Sequence, residues 1–300
     1  MYEIALIHDA AFPAALTAAL PPDARVVAAC PLSGASAPAG AATFNNIDEL
    51  LAGSNAALVW VHTRTGYHAE YAIKALQAGR DVLCNAPLCI TAAAAWQILE
   101  TARYTRRNIW VAESPCIFWS QLREEIGPIN RLHAWARSTG KESGNTFPDG
   151  GLLHTRFYGL AKALAGLTGP LSAAHEQLEP NADEERGGHA ELHFGEDAVG
   201  YLDWSLTDAG SGHEPGCSVQ VEGRNGKVTV SGGFAEDGTL LLKEVQAEGI
   251  KLTDPGQSAD QHQNWISVLS GKKVAGWDAF EALRTVEFID RIYGRVRKLS

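Results

Sequence analysis

Residues 58–88 read LVWVHTRTGYHAEYAIKALQAGRDVLCNAPL, and within that stretch the apolar periodicity changes twice. Ala57 to Val61 is an apolar run of strand length, and Thr63 to Gly66 is a polar break. Tyr71, Ala72, Ala75 and Leu76 then recur at helical spacing, and Gly79 is placed to end that helix. Val82-Leu83-Cys84 forms a second apolar run that stops before Pro87. Strand, helix, strand within about 30 residues is a βαβ unit, which requires a parallel sheet.

Outward from that unit the alternation continues on both sides. Glu3 to Ile7 predicts a strand, Phe12 to Leu20 an Ala-rich helix and Arg25 to Cys30 a second strand. Ser33 to Ala42 has no periodicity and reads as loop plus a degenerate helix, and Ile47 to Leu51 as a short helix. Thr91 is placed to cap an amphipathic helix running to Tyr104, and Ile109 to Ala112 closes the unit as a strand. Beyond residue 120 the texture changes to strands with alternating polarity. They cover Ile129 to Ser138, Ala190 to Phe194, Ala198 to Leu206, Ser218 to Glu222, Lys227 to Ser231 and Leu240 to Glu244. Arg224-Asn225-Gly226 joins two of these as a hairpin. One long helix, Leu153 to Leu167, and a closing helix, Ala279 to Arg297, complete the pattern.

The 300 residues suffice for two cores of ordinary size. A net charge of −10 argues against partners with a phosphate backbone or an anionic membrane surface. No apolar run approaches 18 residues, and Met-Tyr-Glu-Ile lacks the features of a signal peptide. The five cysteines have no paired spacing, and Cys30 and Cys84, in apolar strand contexts, read as reduced core thiols. Together these features predict a cytoplasmic protein with no nucleic-acid or membrane partner.

Thr63, His68, Ala78, Gly79, Val82, Leu83 and Pro87 stand where the Gfo/Idh/MocA oxidoreductases carry Thr-Pro-x-x-x-His, a helix ending in Ala-Gly, and Val-Leu-x-Glu-Lys-Pro. The chain therefore resembles that family. His262 to Leu269, Gly271 and Trp277-Asp278-Ala279 resemble its closing segment. The resemblance implies an α/β Rossmann-like parallel-sheet domain over residues 1–120. It implies an α+β domain with an open, mostly antiparallel sheet over 121–300.

The chemistry that the family attaches to this frame is altered. Its lysine, which touches both nicotinamide and substrate, is replaced: Asn85 and Ala86 stand at the Glu-Lys positions. Its G-x-G-x-x-G phosphate turn aligns on His8, Ala10 and Pro13, and the acidic residue that holds the ribose gives way to Pro31. A Cβ at the first two glycine positions stands where phosphate oxygens belong, while Pro13 is comfortable in a helical first turn. The family's Asp-x-Gly-x-His-x-x-Asp follows Gly150-Gly151 as His154, Arg156, Tyr158 and Ala161.

The replacements are polar, which leaves a ligand site open. The crevice at the carboxyl ends of the strands would gather His8, His62, Thr63, Arg64, Asn85, Glu113 and Ser114 with His154, Arg156 and Tyr158. His62, Arg64, Asn85 and Glu113 are the candidates for holding substrate. Tyr158, His154 and Arg156 are the candidates for chemistry, and His8, Ala10, Pro13 and Thr63 mark the family's cofactor positions. No His/Asp/Glu cluster has metal-ligand spacing. The leading expectation is a family member that has given up NAD(P)-dependent hydride transfer, needs no cofactor, and binds a small polar, sugar-like ligand. The alternative is an active sugar-type oxidoreductase using NAD or NADP through substituted residues. A cofactor-free lyase or isomerase working through His154 and Tyr158 is a third. The resemblance also implies self-association through the exposed face of the C-terminal sheet, or pairing with an active homologue. Tyr201, Trp204, Leu206, Val219, Val221 and Val228 are the apolar candidates for that face.

Overall fold

A computed structural model describes residues 1–9, 20–32, 34–113, 117–139, 149–178, 185–207, 214–235, 238–252, 261–274 and 277–294. The chain forms two compact units. The first is Met1–Pro115 with Ser258–Leu283, and the second is Cys116–Gln257 with Arg284–Ser300.

The first unit is built on six parallel strands: β1 (Tyr2–His8), β2 (Ala24–Pro31), β3 (Ala42–Thr43), β4 (Leu58–His62), β5 (Asp81–Asn85) and β6 (Ile109–Ala112). They lie in the order β3-β2-β1-β4-β5-β6, so the winding reverses between β1 and β4. That is the switch point where such sheets open a crevice for ligands. Helices α1 (Ile47–Gly53), α2 (Thr65–Gln77) and α3 (Ala92–Thr105) connect the strands. Their ends follow the capping chemistry. The Asn46 side chain accepts from the Glu49 amide at 2.9 Å and Thr91 from the Ala94 amide at 3.2 Å. Gly79 takes φ +74° just past α2, the left-handed turn predicted for it. The expected Phe12 to Leu20 helix lies outside the described residues.

Both faces of this sheet are covered. Ile4, Leu6, Leu58, Trp60, Leu83 and Trp110 alternate onto one face and pack with Trp265, Val268, Val274 and Trp277. Trp265 and Val268 come from α7 (Gln261–Leu269), and the Trp60 and Trp265 rings meet edge to face at 4.7 Å. The near-continuous apolar runs of β1 and β4 reflect this double covering.

Among the described residues the second unit carries seven strands: β7 (Ile129–Thr139), β8 (Leu171–Leu178), β9 (Gly187–Phe194), β10 (Ala198–Thr207), β11 (Gly216–Gly223), β12 (Gly226–Phe234) and β13 (Leu240–Glu248). Their order is β13-β12-β11-β7-β10-β9-β8, with only the β7–β10 pair parallel. Helices α4 (Ile117–Ile126), α5 (Leu152–Thr155) and α6 (Tyr158–Thr168) belong to this unit, and α8 (Ala279–Ile292) is the last helix described. The sheet's inner face buries Leu132, Ala134, Leu192, Leu202, Trp204, Val219, Val221, Val228 and Val230. Its other face is polar, carrying His133, His189, Gln220 and the 41% exposed Tyr201.

Two expectations need correction. Trp204, Val219, Val221 and Val228 point inward instead of toward an interface. Tyr201 and Trp204 are three residues apart, and an odd separation on a regular strand puts side chains on opposite faces. The long helix expected over Leu153 to Leu167 is broken into α5 and α6. Phe157 is fully buried against the Phe234 ring, and the Gly159 amide donates to the Gly238 carbonyl at 3.2 Å. The backbone thus leaves the helical ladder to pair with the β12–β13 loop. Among the described residues, no helix is long and apolar enough to cross a membrane.

Candidate functional site

Parallel register gathers the first-unit candidates at one end of the sheet. His8 pairs with Pro31 on one side and with His62 on the other. Asn85 ends the next strand, opposite Ala112, and Glu113 follows β6. His8 is fully buried, whereas His62, Asn85 and Glu113 are half-buried. Ala10, Pro13 and Ser114 lie outside the described residues.

A chain of hydrogen bonds fixes the orientation of the central pair. The Trp60 indole Nε1–H can only donate, and it donates to Asn85 Oδ1 at 2.8 Å. The Asn85 amide nitrogen must then face His62, where Nδ2 lies 2.6 Å from Nδ1. Nδ1 therefore accepts, and the neutral ring carries its hydrogen on Nε2. Burial pushes the His62 pKa below its ordinary value, with the Asp9 charge pulling the other way. The result is a neutral imidazole with a fixed tautomer at a strand's carboxyl end.

Arg64 and Thr63 sit on the turn after β4. The Arg64 backbone amide donates to Asp9 Oδ2 at 2.7 Å, and its guanidinium Nε lies 3.4 Å from the same oxygen. The guanidinium also lies over the Tyr67 ring at 5.4 Å. The Arg64 side chain remains 57% exposed, so the cation faces solvent while Asp9 steadies it from behind. Thr63 contributes its carbonyl to the Nε2 atom of the buried His68 at 2.7 Å, while His68 Nδ1 meets the Pro87 carbonyl at 2.7 Å. This one imidazole ties the β4–α2 turn to the loop after β5. Burial, opposed by both carbonyls, lowers its pKa.

The second-unit candidates occupy α5 and the start of α6. His154 is fully buried, with Nδ1 3.0 Å from the Gly150 carbonyl, and its ring stacks on Tyr293 at 6.5 Å. Tyr158 is buried and Arg156 half-buried. The segment is anchored by a residue that sequence reasoning missed. Glu185, 3% exposed, accepts the Leu152 amide at 2.8 Å, Trp204 Nε1 at 2.7 Å and the Tyr293 hydroxyl at 2.7 Å. The same hydroxyl oxygen accepts the Leu153 amide at 3.1 Å. Gly151 holds φ +91°, and a Cβ there would meet Glu185 Oε2. Gly151 is thus shaped around a buried carboxylate, and Gly150 around the His154 ring, which its Cβ would meet. Asp9 was missed as well, although an acidic residue directly after a buried strand is a visible signal. Among the described residues, no group of three or more His, Cys, Asp or Glu side chains could hold a metal.

A doubly covered parallel sheet with polar groups at its switch point is a doubly wound frame, in which ligands bind outside the carboxyl ends of the strands. Residues 3–113 match the model of the Gfo/Idh/MocA family, described as an oxidoreductase family with an NAD-binding Rossmann fold. Over that N-terminal region the chain is similar to the Gfo/Idh/MocA family. Over 103 residues it is 38% identical to D-xylose 1-dehydrogenase (NADP(+)) of Hypocrea jecorina, a match covering 31% of this chain and 26% of that protein's length. The fold extends over the whole chain. The WlbA dehydrogenase of Bordetella pertussis, solved with NADH and UDP-GlcNAcA, superposes with a TM-score of 0.78 at 20% identity, covering 98% of this chain and 97% of that one. Biliverdin reductase of Synechocystis sp. PCC 6803, solved with biliverdin and NADP+, gives 0.72 at 16% identity, covering 97% and 98%.

The expectation that the chain needs no cofactor gains no support from these matches, which weigh toward NAD or NADP. The described residues fit such a group in part. Arg64 offers an exposed cation and His62 a neutral N–H donor at the switch point. Pro31 offers no carboxylate to a ribose.

Proposed function

We propose that the protein is an NAD(P)-dependent oxidoreductase acting on a sugar-type substrate, with substituted residues performing the family's work. The match of residues 3–113 to an NAD-binding family model carries this reading. A bound nicotinamide would supply or accept the hydride. Arg64 is suited to hold a phosphate, because its guanidinium is exposed and backed by Asp9. His62 presents Nε2–H as a donor to a substrate carbonyl oxygen, and Asn85 keeps it in that tautomer. Tyr158 and Arg156 remain the second unit's candidates for proton transfer and anion holding. His154 is better suited to packing, since it is fully buried and bonded to Gly150. D-xylose and nucleotide-linked sugar acids are the first substrates to try, given the relatives' own ligands. Self-association through the polar face of the C-terminal sheet, around Tyr201, is part of this reading.

One observation favours a second reading, ligand binding without hydride transfer: Asn85 and Ala86 stand at the Glu-Lys positions. NADH and NADPH titrations followed by nucleotide fluorescence separate the two. Micromolar binding of either, followed by substrate-dependent absorbance change at 340 nm, is expected. Binding no tighter than about 1 mM for both would overturn the oxidoreductase reading and leave the second.

A further inference from the structure

The first unit holds a second cleft, of about 550 Å³, between α3, the start of β6 and residues 271–274 and 277–280. It opens toward the amino end of β6, whereas His8, His62 and Asn85 sit at the carboxyl ends of their strands. Its floor is apolar, formed by Leu99, Trp110 and Trp277. Two aromatic rings form its lip and stay in water: Trp96 is 46% exposed and Phe280 is 56% exposed. They meet edge to face with centroids 6.5 Å apart. Single exposed apolar side chains are ordinary, but two large rings in contact above an apolar floor form a continuous patch.

The charge around this patch runs against that of the chain. The protein carries 35 acidic and 25 basic residues, yet Arg103, Arg107, Lys272 and Lys273 all line the cleft. Among the described residues none of these four forms an ion pair with a carboxylate. Of the two acids that line it, Glu100 and Asp278, the second is committed to the backbone, its Oδ1 accepting the Phe280 amide at 2.7 Å. A neutral apolar ligand would leave the cations unused, and a polar anion would leave the rings unused. We propose that this cleft binds an amphipathic organic anion, with a flat aromatic body against Trp96 and Phe280. Its carboxylate, sulfonate or phosphate group meets the cations of the rim. Aromatic rings and guanidinium groups are suited to such ligands because both present flat faces and lose little freedom on contact.

The probe for the test is 8-anilinonaphthalene-1-sulfonate, titrated into the full chain by fluorescence with and without saturating NADPH. Saturable binding at one site is expected, with a dissociation constant on the order of 10–100 µM, the range for a ligand of that size. NADPH should not displace it. Trp96→Ala with Phe280→Ala should weaken binding about tenfold or more. Arg103→Gln with Lys273→Gln should weaken it roughly fivefold and flatten its salt dependence. All four side chains are outside the core, and unchanged melting temperatures would show that the variants fold. Absence of saturable binding, displacement by NADPH, or wild-type affinity in both double variants would each overturn the proposal.

Discussion

Glu185→Gln should loosen the segment Gly150–Tyr158 without unfolding the protein. The Glu185 carboxylate accepts from Trp204 Nε1 and Tyr293 Oη on Oε1 and from the Leu152 amide on Oε2. Glutamine can keep only one oxygen. The indole is a donor with no alternative role, so the amide oxygen should stay with Trp204 and Tyr293. The new NH2 then faces the Leu152 N–H, donor against donor. One hydrogen bond to a charged group is worth about 1.5–3 kcal/mol, and Leu152 is fully buried, so no water replaces it. A loss of about 2 kcal/mol corresponds to roughly 30-fold faster local opening, at 1.4 kcal/mol per factor of ten.

Hydrogen exchange read by mass spectrometry on a peptide covering residues 149–158 measures this directly and needs no two-state assumption. Tyr293→Phe should raise exchange at Leu153 by a similar factor, because the lost hydroxyl accepts that amide at 3.1 Å. The double variant should cost less than the two singles added, since Tyr293 Oη bridges Glu185 and Leu153. Exchange in that peptide within threefold of wild type for Glu185→Gln would refute the account of Glu185 as the segment's anchor.

Four further outcomes follow from the structure. His68→Ala removes the link between Thr63 and Pro87 and should lower stability by about 3 kcal/mol, read as a drop in melting temperature. His68 and His62 both have folded pKa values below their unfolded ones, so the unfolded chain takes up protons first. Melting temperature should therefore fall as pH drops below about 6.5 and level off once the folded rings also protonate, and His68→Ala should flatten that slope. Gly159→Ala places a Cβ 2.6 Å from the Leu240 amide and 2.8 Å from the Gly238 carbonyl, and should cost roughly 1–3 kcal/mol despite alanine's better helix propensity. If the open sheet face is a subunit interface, Tyr201→Glu should shift mass measured by light scattering toward 32.1 kDa, and an unchanged mass would remove that face as the contact.

The parallel sheet was legible because its strands are apolar throughout and its helices carry standard caps. Thr91 caps α3 and Gly79 terminates α2 as the local chemistry requires. What escaped was decided by contacts distant in sequence. Strand β8 reads LSAAHEQL, with too few large apolar residues to announce itself, and it forms at the sheet edge by pairing with β9. The break between α5 and α6 depends on Phe234 and Gly238, some 80 residues away. The candidate site divides in the same manner. His62, Arg64 and Asn85 were readable from their places at strand ends, whereas Glu185 lies in a stretch with no periodicity. The surroundings of His62 and His154 could not be told apart from sequence. Burial and the partner on Nδ1 separate them: Asn85 donates to one, and the other meets a carbonyl.

The substitution of the family's lysine is best tested at Asn85. A lysine would offer an ammonium donor; His62, its pKa lowered by burial and its tautomer set by the Asn85 amide, offers a single uncharged N–H from Nε2. Asn85→Asp is nearly isosteric and keeps an oxygen for the Trp60 indole at its 2.8 Å position. Its second oxygen replaces the amide donor opposite His62 Nδ1. A carboxylate there can only accept, so Nδ1 must take the hydrogen, and Nε2 changes from donor to lone pair. The same charge raises the His62 pKa. Nitrogen-15 NMR of the imidazole should show the Nε2–H tautomer in the wild type and the Nδ1–H tautomer, or imidazolium, in the variant. If Nε2–H polarises a substrate carbonyl, the variant should lose about 100-fold in kcat near pH 8, the cost of removing one oxyanion donor. Nucleotide affinity should change far less, because Arg64 and Asp9 are untouched. A wild-type ring found in the Nδ1–H tautomer would sink the hydrogen-bond argument. A full switch of tautomer with kcat unaltered would show that His62 does not touch the reacting oxygen.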